Sequence, residues 1–254
     1  IRDYKVTGVQ TCALPILEIT YYGHSCFSVK IGEKTILFDP FITPNELAKQ
    51  IDVSAIKADY ILISHGHQDH IADAVMLAQQ NNSTVVSNYE IIDWLSQQGV
   101  KNGHPMNIGG HWFFDADDNG NKFKVKCVVA VHSSVLPDGT YGGNPMGFLI
   151  ESNEGNFYYA GDTALTYDMK LIGEYKNIDF AFLPIGNNFT MGIDNALIAS
   201  EFINCQNIIG MHYDTFGYIT IDQMEARAKF QMAGIDLHLF EIGETKTEIG
   251  RAHV

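Results

Sequence analysis

The chain has 254 residues, of which 46% are hydrophobic and 18% charged, so it can bury a sizeable core and does not have the composition of a disordered protein. Its formal net charge of −14 disfavours nucleic acid as a partner, because phosphate backbones are themselves negative. No apolar run approaches the roughly 20 residues of a membrane helix, so no membrane partner is expected. The four cysteines lie far apart without a CxxC motif, which favours free thiols in a reducing, cytoplasmic compartment.

Both ends of the chain differ in character from the rest. Residues 1–16 (IRDYKVTGVQTCALPI) contain an apolar stretch that is too short and too interrupted for a signal peptide. This string and residues 248–254 (EIGRAHV) resemble the translation of a common short-read sequencing adapter. We therefore predict that both are non-native tails. Residues 17–247 are predicted to form a single domain, because no internal repeat or low-complexity linker divides them.

The predicted domain opens with short β-strands and then alternates strands with helices. Residues 17–22, 26–31 and 34–39 are rich in Ile, Val, Tyr, Phe and Thr, which is typical of strands. ADYILIS (58–64) predicts a buried strand, and IADAVMLAQQ (71–80) has apolar residues at helical spacing. Further strands are predicted at 84–88, 123–132, 147–152, 156–162, 178–186, 207–214 and 237–242, and further helices at 90–98, 164–173, 196–204 and 221–233. This alternation predicts layered sheets covered by helices.

SHGHQDH, residues 64–70, is the most unusual stretch of the sequence. It places four imidazole or carboxylate side chains in six positions, although His and Asp are poor helix formers. The stretch lies in the loop between the predicted strand 58–64 and the predicted helix 71–80, where ligands gather in α/β folds. Imidazoles and carboxylates are the ligands that zinc binds. The sequence therefore predicts a metal site in this loop.

Three distant polar residues, His132, Asp162 and His212, each follow an apolar run and can point into the same cleft. Taken alone, each is more readily explained as a hydrogen-bonded structural residue. The four donors of HGHQDH cannot all bind one ion without strain, so we expect its first two histidines on one ion and Asp69 and His70 on another. The distant residues would complete both sites, with Asp162 bridging two ions roughly 3.5–4 Å apart.

HGHQDH resembles the H-x-H-x-D-H signature of the metallo-β-lactamase superfamily, and the three distant residues follow in that superfamily's order. YYGHSCF, LFDPF, AVHSS, GGNPMGF, AGDT, PIGNNFTMG and HYDTF are similar to its compact branch of metal-dependent hydrolases related to ascorbate-6-phosphate lactonase, over residues 17–247. The resemblance implies an α/β fold, a four-layer αββα sandwich of two mixed β-sheets flanked by helices. The implied ligands are His65, His67 and His132 for the first metal, Asp69, His70 and His212 for the second, and Asp162 between them.

Several residues near these motifs have a less defined role. Asp39 resembles the superfamily's aspartate that orients a metal ligand, although an Asp-Pro turn explains it equally well from sequence alone. His24 in YGHSCF is a candidate for the cleft, with a structural histidine as the alternative. Asn187 and Asn188 stand where another polar pair is expected, and Gly217 where proline is expected, which leaves the substrate open.

Other suggestive residues fit no site. DADDNG (115–120) begins like an EF-hand loop, but the glutamate of the twelfth position is missing and a strand pattern follows, so a polar hairpin turn is expected. His104, His111 and His238 belong to no ligand pattern.

These features predict a metal-dependent hydrolase with Asp69, His24 and Asp39 as its catalytic residues. Zinc lowers the pKa of a bound water to about 7, so a metal-bridging hydroxide would attack a carbonyl or phosphoryl centre while Asp69 accepts or relays the proton. We expect two divalent metal ions, Zn²⁺ first and Mn²⁺ or Fe²⁺ as alternatives. The expected substrate is a small-molecule ester, lactone, amide or phosphoester.

Three alternatives stay open at this point. A nuclease of the same fold needs more cations than this acidic chain offers. A non-haem di-iron oxidoreductase typically has glutamate in place of the second histidine and an added flavodoxin-like domain, so His67 favours hydrolysis. A metal-storing protein would not need a bridging carboxylate. The sequence does not give the oligomeric state, and a homo-oligomer is compatible with it.

Overall fold

The structure, a computed structural model, describes residues 17–247, and the predicted tails lie outside the described residues. Within this range two seven-stranded sheets pack face to face and helices cover their outer faces. This is the four-layer αββα sandwich expected from the sequence. None of the helices in residues 17–247 is long and apolar enough to cross a membrane.

Fourteen strands and six α-helices build these layers in the described part of the chain. The strands are β1 (Glu18–Gly23), β2 (Cys26–Ile31), β3 (Lys34–Phe38), β4 (Tyr60–Leu62), β5 (Thr84–Asn88), β6 (Gly103–Met106), β7 (His111–Asp115), β8 (Lys122–Val129), β9 (Met146–Glu151), β10 (Asn156–Tyr159), β11 (Phe180–Pro184), β12 (Asn207–Met211), β13 (Asp236–His238) and β14 (Thr245–Thr247). The helices are α1 (Gln68–Ile71), α2 (Ala74–Asn81), α3 (Tyr89–Gln97), α4 (Asp168–Tyr175), α5 (Ile193–Phe202) and α6 (Gln223–Met232).

Both sheets are mixed. The first has the order β14-β1-β2-β3-β4-β5-β6, antiparallel from β14 to β3 and parallel from β3 to β6. The second has the order β13-β12-β11-β10-β9-β8-β7, antiparallel from β7 to β10 and parallel from β10 to β13. The carboxyl ends of β1, β3 and β4 therefore lie on the same side of the first sheet. In the second sheet the carboxyl ends of β8, β10, β11 and β12 lie together in the same way. Ligands gather at such strand ends.

The main core lies between the two sheets and is rich in aromatic residues. The Phe38 and Tyr159 rings stack with their centroids 4.6 Å apart across the interface, and the Phe27 and Phe182 centroids are 4.8 Å apart. Each fully buried side chain of this size contributes about 1.5–3 kcal/mol. A second core lies between the outer face of the first sheet and helices α2 and α3, where Leu77 and other aliphatic residues pack.

Most predicted elements are confirmed, with shorter strands than expected. The sequence did not predict β6, β7 and β14, and the predicted strand 237–242 ends at His238. β6 contains Pro105, which cannot donate to a sheet and is tolerated because β6 is an edge strand. The hairpin predicted at 115–120 joins β7 to β8. Free, buried thiols are confirmed for Cys26, Cys127 and Cys205, while Cys12 lies outside the described residues.

Candidate metal centre

The HGHQDH turn begins just after β4 and runs into α1. His67 precedes the first residue of α1, and Asp69 and His70 lie on that single-turn helix. His65 and His70 are buried, whereas His67 and Asp69 are partly exposed. Burial therefore divides the four donors into an inner pair, His65 and His70, and an outer pair, His67 and Asp69.

His65 and His67 form one group with His132. Their ligand nitrogens all lie within 4.8 Å of one another. His65 Nε2 is 2.9 Å from His67 Nδ1, and the His132 ring centroid is 5.1 Å from each of the other two rings. These are the three residues expected for the first metal.

Asp69 and His70 form the second group with His212 and His24. One ligand atom from each of the four lies within 4.8 Å of the others. Asp69 Oδ2 is 3.8 Å from His212 Nε2 and 3.9 Å from His70 Nε2. The first three are those expected for the second metal. His24 was expected only as a cleft residue, and the structure adds it to the possible ligands of this group.

Asp162 lies between the two groups. Its Oδ2 is 2.9 Å from His212 Nε2, 3.4 Å from His70 Nε2 and 3.5 Å from His132 Nε2, and its side chain is 2% exposed. One carboxylate oxygen therefore contacts histidines from both groups.

The sequence patterns suggested that the three distant residues belong to strands. The structure places them in the loops that follow those strands. β8 ends at Val129, β10 at Tyr159 and β12 at Met211, so His132, Asp162 and His212 each follow by one to three residues. His212 adopts a left-handed φ of 56°. The chain has left the extended pairing of the sheet at these positions, which lets the side chains turn towards the HGHQDH turn.

The donor set fits divalent metal ions. Two atoms of the cluster, His70 Nε2 and Asp162 Oδ1, are buried and make no hydrogen bond within the described residues. Buried polar atoms are nearly always satisfied, so such a cluster of unsatisfied atoms needs an explanation. Imidazole and carboxylate together suit zinc, iron and manganese.

The charges in the cluster favour ionised carboxylates. Burial opposes the charge of Asp162, but His212 and His70 outweigh it and hold the carboxyl pKa well below its usual range. Burial likewise opposes the charge of His212, but Asp162 outweighs it and raises the His212 pKa to about 9. Burial and the neighbouring His70 lower the pKa of His65. A metal ion that binds here would therefore displace a proton from His212 in the second group. At His65 the imidazole is already neutral, so no proton has to leave.

Asp39 contacts His70 directly and His65 through Ser64. It is fully buried at the end of β3, with a left-handed φ of 41°. His70 Nδ1 donates to its Oδ2 at 2.8 Å, which leaves His70 Nε2 facing the cluster. Ser64 donates to it from N at 2.7 Å and from Oγ at 2.6 Å, and Ser64 Oγ is 2.9 Å from His65 Nδ1. These contacts are those of a carboxylate that orients metal ligands, and an isolated Asp-Pro turn would not need them.

Sequence reasoning missed Ser64 and Tyr159. The Tyr159 hydroxyl lies 2.8 Å from Asp39 Oδ2 and 2.7 Å from the Ser25 carbonyl oxygen. The serine stands next to the motif and could have been suspected, because a hydroxyl there can reach the adjacent imidazole. Nothing in the pattern NFYYAGD distinguishes Tyr159 from a core residue.

His24 lies inside the cluster, in the tight turn between β1 and β2. It is buried with a left-handed φ of 57°, its Nε2 is 3.2 Å from Asp69 Oδ2, and its Nδ1 is 3.0 Å from Thr215 Oγ1. Burial and the nearby His212 lower its pKa to about 4, so the ring is neutral. A neutral ring held by Thr215 can donate to Asp69 from Nε2.

The remaining singled-out residues lie apart from the metal-ligand groups. His104 packs against Trp112, His111 lies on β7 and His238 on β13. Asn187 and Asn188 follow β11 with left-handed φ values of 63° and 55°, which asparagine tolerates.

Comparison with known proteins identifies the family of the chain. Residues 18–212 match the family model described as the β-lactamase superfamily domain. The chain is 52% identical over 229 residues to a UPF0173 metal-dependent hydrolase of Flavobacterium johnsoniae, covering 90% of this chain and 99% of the relative. It is 53% identical over 230 residues to one of Christiangramia forsetii, with the same coverage.

A solved structure extends the likeness. Igni18, a metallo hydrolase from the hyperthermophilic archaeon Ignicoccus hospitalis, superposes with a TM-score of 0.81 and 35% identity, over 92% of this chain and 98% of that one. The chain therefore belongs to the metallo-β-lactamase superfamily, in a branch whose members are named metal-dependent hydrolases.

Proposed function

We propose that this protein is a metal-dependent hydrolase that binds two divalent metal ions in the histidine–aspartate cluster. The proposed ligands are His65, His67 and His132 for one ion, Asp69, His70 and His212 for the other, and Asp162 for both. The observation that carries the proposal is the position of Asp162, whose Oδ2 lies 2.9 Å from His212 and 3.5 Å from His132. A buried carboxylate shared by two ligand groups is what a two-metal site requires.

Zinc is the proposed metal, with Mn²⁺ and Fe²⁺ as alternatives, because histidine and aspartate suit all three. When bound, such ions polarise a carbonyl or phosphoryl oxygen and lower the pKa of a water towards 7.

The side chains of the protein would position ligands and move a proton. Asp69 would accept and relay the proton released in the reaction. Burial opposes the charge of Asp69, but His70 outweighs burial and holds the Asp69 pKa below its usual range, so the carboxylate is ionised and would pass the proton on rather than keep it. His24 would hold that carboxylate by donating from Nε2, with Thr215 fixing the other face of the ring. Asp39 would keep the His70 ring in the tautomer that offers Nε2.

The proposed substrate is a small molecule with a hydrolysable ester, lactone, amide or phosphoester bond. The net charge of −14 works against a nucleic-acid substrate, because each phosphate contact needs a cation. His67 lies in the first ligand group, within 2.9 Å of His65, and this supports hydrolysis over a di-iron oxidoreductase.

Metal analysis combined with a hydrolysis screen tests the proposal. We expect the purified protein to hold two equivalents of metal and to turn over members of a lactone, ester, amide and phosphodiester panel. His132→Ala should lose one equivalent and more than about 100-fold in kcat/KM while keeping the fold, because it removes a ligand. His111→Ala, which changes a histidine outside the cluster, is the matched control.

Three results would contradict the proposal. Full activity and metal content in His132→Ala would exclude that ligand. Metal without turnover of any panel member would indicate a binding protein, and iron with oxygen consumption would indicate an oxidoreductase.

A further inference from the structure

The loops around the metal centre carry no lysine or arginine. These segments are 23–25, 39–45, 64–70, 131–145, 162–167, 185–192 and 212–222. They do carry acidic residues besides the proposed ligands, namely Asp39, Asp138, Asp214 and Asp222. Lys229 borders a cavity of about 410 Å³ beside Tyr218, but its ammonium is bound to Asp194 at 2.8 Å and Glu225 at 3.0 Å. An anionic substrate group would therefore meet acidic side chains and no free cationic side chain in these loops, and only the proposed metal ions would attract it.

The same loops expose apolar side chains instead. Seven of them are between 38% and 78% exposed. Tyr167 packs its ring against Phe202 of α5, with the centroids 5.8 Å apart, and the other six are Val131, Val135, Tyr141, Phe189, Phe216 and Tyr218. Exposed apolar residues that cluster on loops around a concave site often mark a binding surface. We call these six residues the apolar rim.

Hydrogen bonds and ring contacts tie the rim to the ligand loops. Gly66, between the first two histidines of the motif, donates from N to Ser134 Oγ at 3.0 Å, which fixes the loop that carries Val135 and Tyr141. Phe216 lies 5.3 Å from the His24 ring, and Phe189 lies 6.1 Å from Tyr218.

The loop of Phe189 is also fixed. Met191 donates from N to the carbonyl oxygen of Thr163 at 3.1 Å, and Thr163 directly follows Asp162. Each of the three rim-bearing loops is therefore held against a residue of the proposed centre or against its direct neighbour in the sequence.

We propose that the substrate is an uncharged carboxylic ester, lactone or amide with an aryl or alkyl substituent that packs on the apolar rim. This inference rests on the proposed function and narrows it, because a phosphoester or another anionic group would find no cationic side chain beside the proposed metal ions. In the reaction a water oxygen forms a bond to the acyl carbon, and the acyl C–O or C–N bond breaks. The leaving alkoxide or amine takes up a proton, and a carboxylate is released.

Acyl chain length is the quantity to vary in the test. For the metal-loaded protein, kcat/KM for aryl esters from acetyl to octanoyl should rise by up to about fourfold per added methylene, which is the value of a fully buried group. Anionic analogues with a terminal phosphate should react more slowly than their neutral counterparts. Phe189→Ala and Tyr218→Ala should flatten the dependence on chain length. Trp112→Ala, which removes an aromatic residue of similar exposure on β7, should leave it unchanged.

Binding provides a second readout that does not depend on turnover. Calorimetric titration of alkyl hydroxamates from acetyl to octanoyl into the metal-loaded protein should show the same rise in affinity and the same loss in Phe189→Ala. A flat chain-length dependence, a preference for phosphorylated substrates, or an equal effect of Trp112→Ala would overturn the inference while leaving hydrolysis intact. Chain-length-dependent hydroxamate binding without hydrolysis of any ester, lactone, amide or phosphoester would support the rim and refute the proposed function.

Discussion

Asp39→Asn tests whether one buried carboxylate holds the metal ligands in place. Asparagine has the same shape and tolerates the left-handed φ of 41° at this position, so backbone strain does not confound the change. Only the charge and one acceptor oxygen are lost. We expect metal binding and the stability of the metal-free protein both to fall.

The hydrogen bonds of Asp39 set the size of the effect. In the better amide orientation the remaining oxygen still accepts from His70 Nδ1, and the new NH₂ group faces the backbone N–H of Ser64, which now donates to Oδ1 at 2.7 Å. Losing a bond to a charged acceptor costs about 1.5–3 kcal/mol, and leaving a buried N–H unsatisfied adds about 1–3 kcal/mol. We expect the unfolding free energy to fall by about 3–5 kcal/mol, and the metal affinity by about 10–100-fold.

Urea unfolding of the metal-free protein and calorimetric zinc titration measure the two effects separately. Tyr159→Phe is the milder comparison, because it removes a neutral hydroxyl at 2.8 Å and leaves the carboxylate charged. It should cost about 1–2 kcal/mol and lower metal affinity less than Asp39→Asn. Unchanged metal affinity in Asp39→Asn would refute the orienting role, even if the protein were less stable.

Two further changes test the surroundings of the site and an ion pair between β8 and β9 of the second sheet. A Cβ at Gly186 would lie 2.0 Å from the carbonyl oxygen of His212. Gly186→Ala should therefore lower the unfolding free energy in urea by about 2–3 kcal/mol and weaken zinc binding. Gly217→Ala should do neither, because a Cβ at Gly217 would have no neighbouring atom within 4 Å. Burial opposes the charge of Glu151, but the Lys124 ammonium at 2.6 Å outweighs it and lowers the carboxyl pKa. Glu151→Gln should therefore cost about 1 kcal/mol at neutral pH, with the difference vanishing in acid as the wild-type carboxyl protonates; a pH-independent difference would contradict this origin.

The layers of the fold could be predicted because hydrophobic periodicity changes clearly along the chain. The strands that contain Phe38 and Tyr159 pack against the opposite sheet, and their ends lie at the histidine–aspartate cluster. The same segments of the sequence therefore indicate both the core and the site. The edge strands β6, β7 and β14 could not be found in this way. They have three to five residues each, and Phe114 is the only one of these residues that is buried, so no apolar period marks them in the sequence.

The histidines of the centre could be predicted because His and Asp have no packing value at the end of an apolar strand. The residues that support them could not, since hydroxyl side chains are common in every environment. Ser64 and Thr215 differ from other serines and threonines only in the atoms they reach, His65 Nδ1 and His24 Nδ1. Those contacts join segments far apart in the sequence, and only the folded chain brings them together.

The two ligand groups depend on a common support, and this has a consequence for how the centre is built. His70 of the second group donates directly to Asp39, and His65 of the first reaches the same carboxylate through Ser64 Oγ. Asp39 is in turn fixed by Tyr159 across the interface between the sheets. The positions of both groups are therefore determined by how the ends of β3 and β10 pack together. The HGHQDH turn carries four of the proposed ligands, and the packing of the two sheets sets the spacing between the two groups.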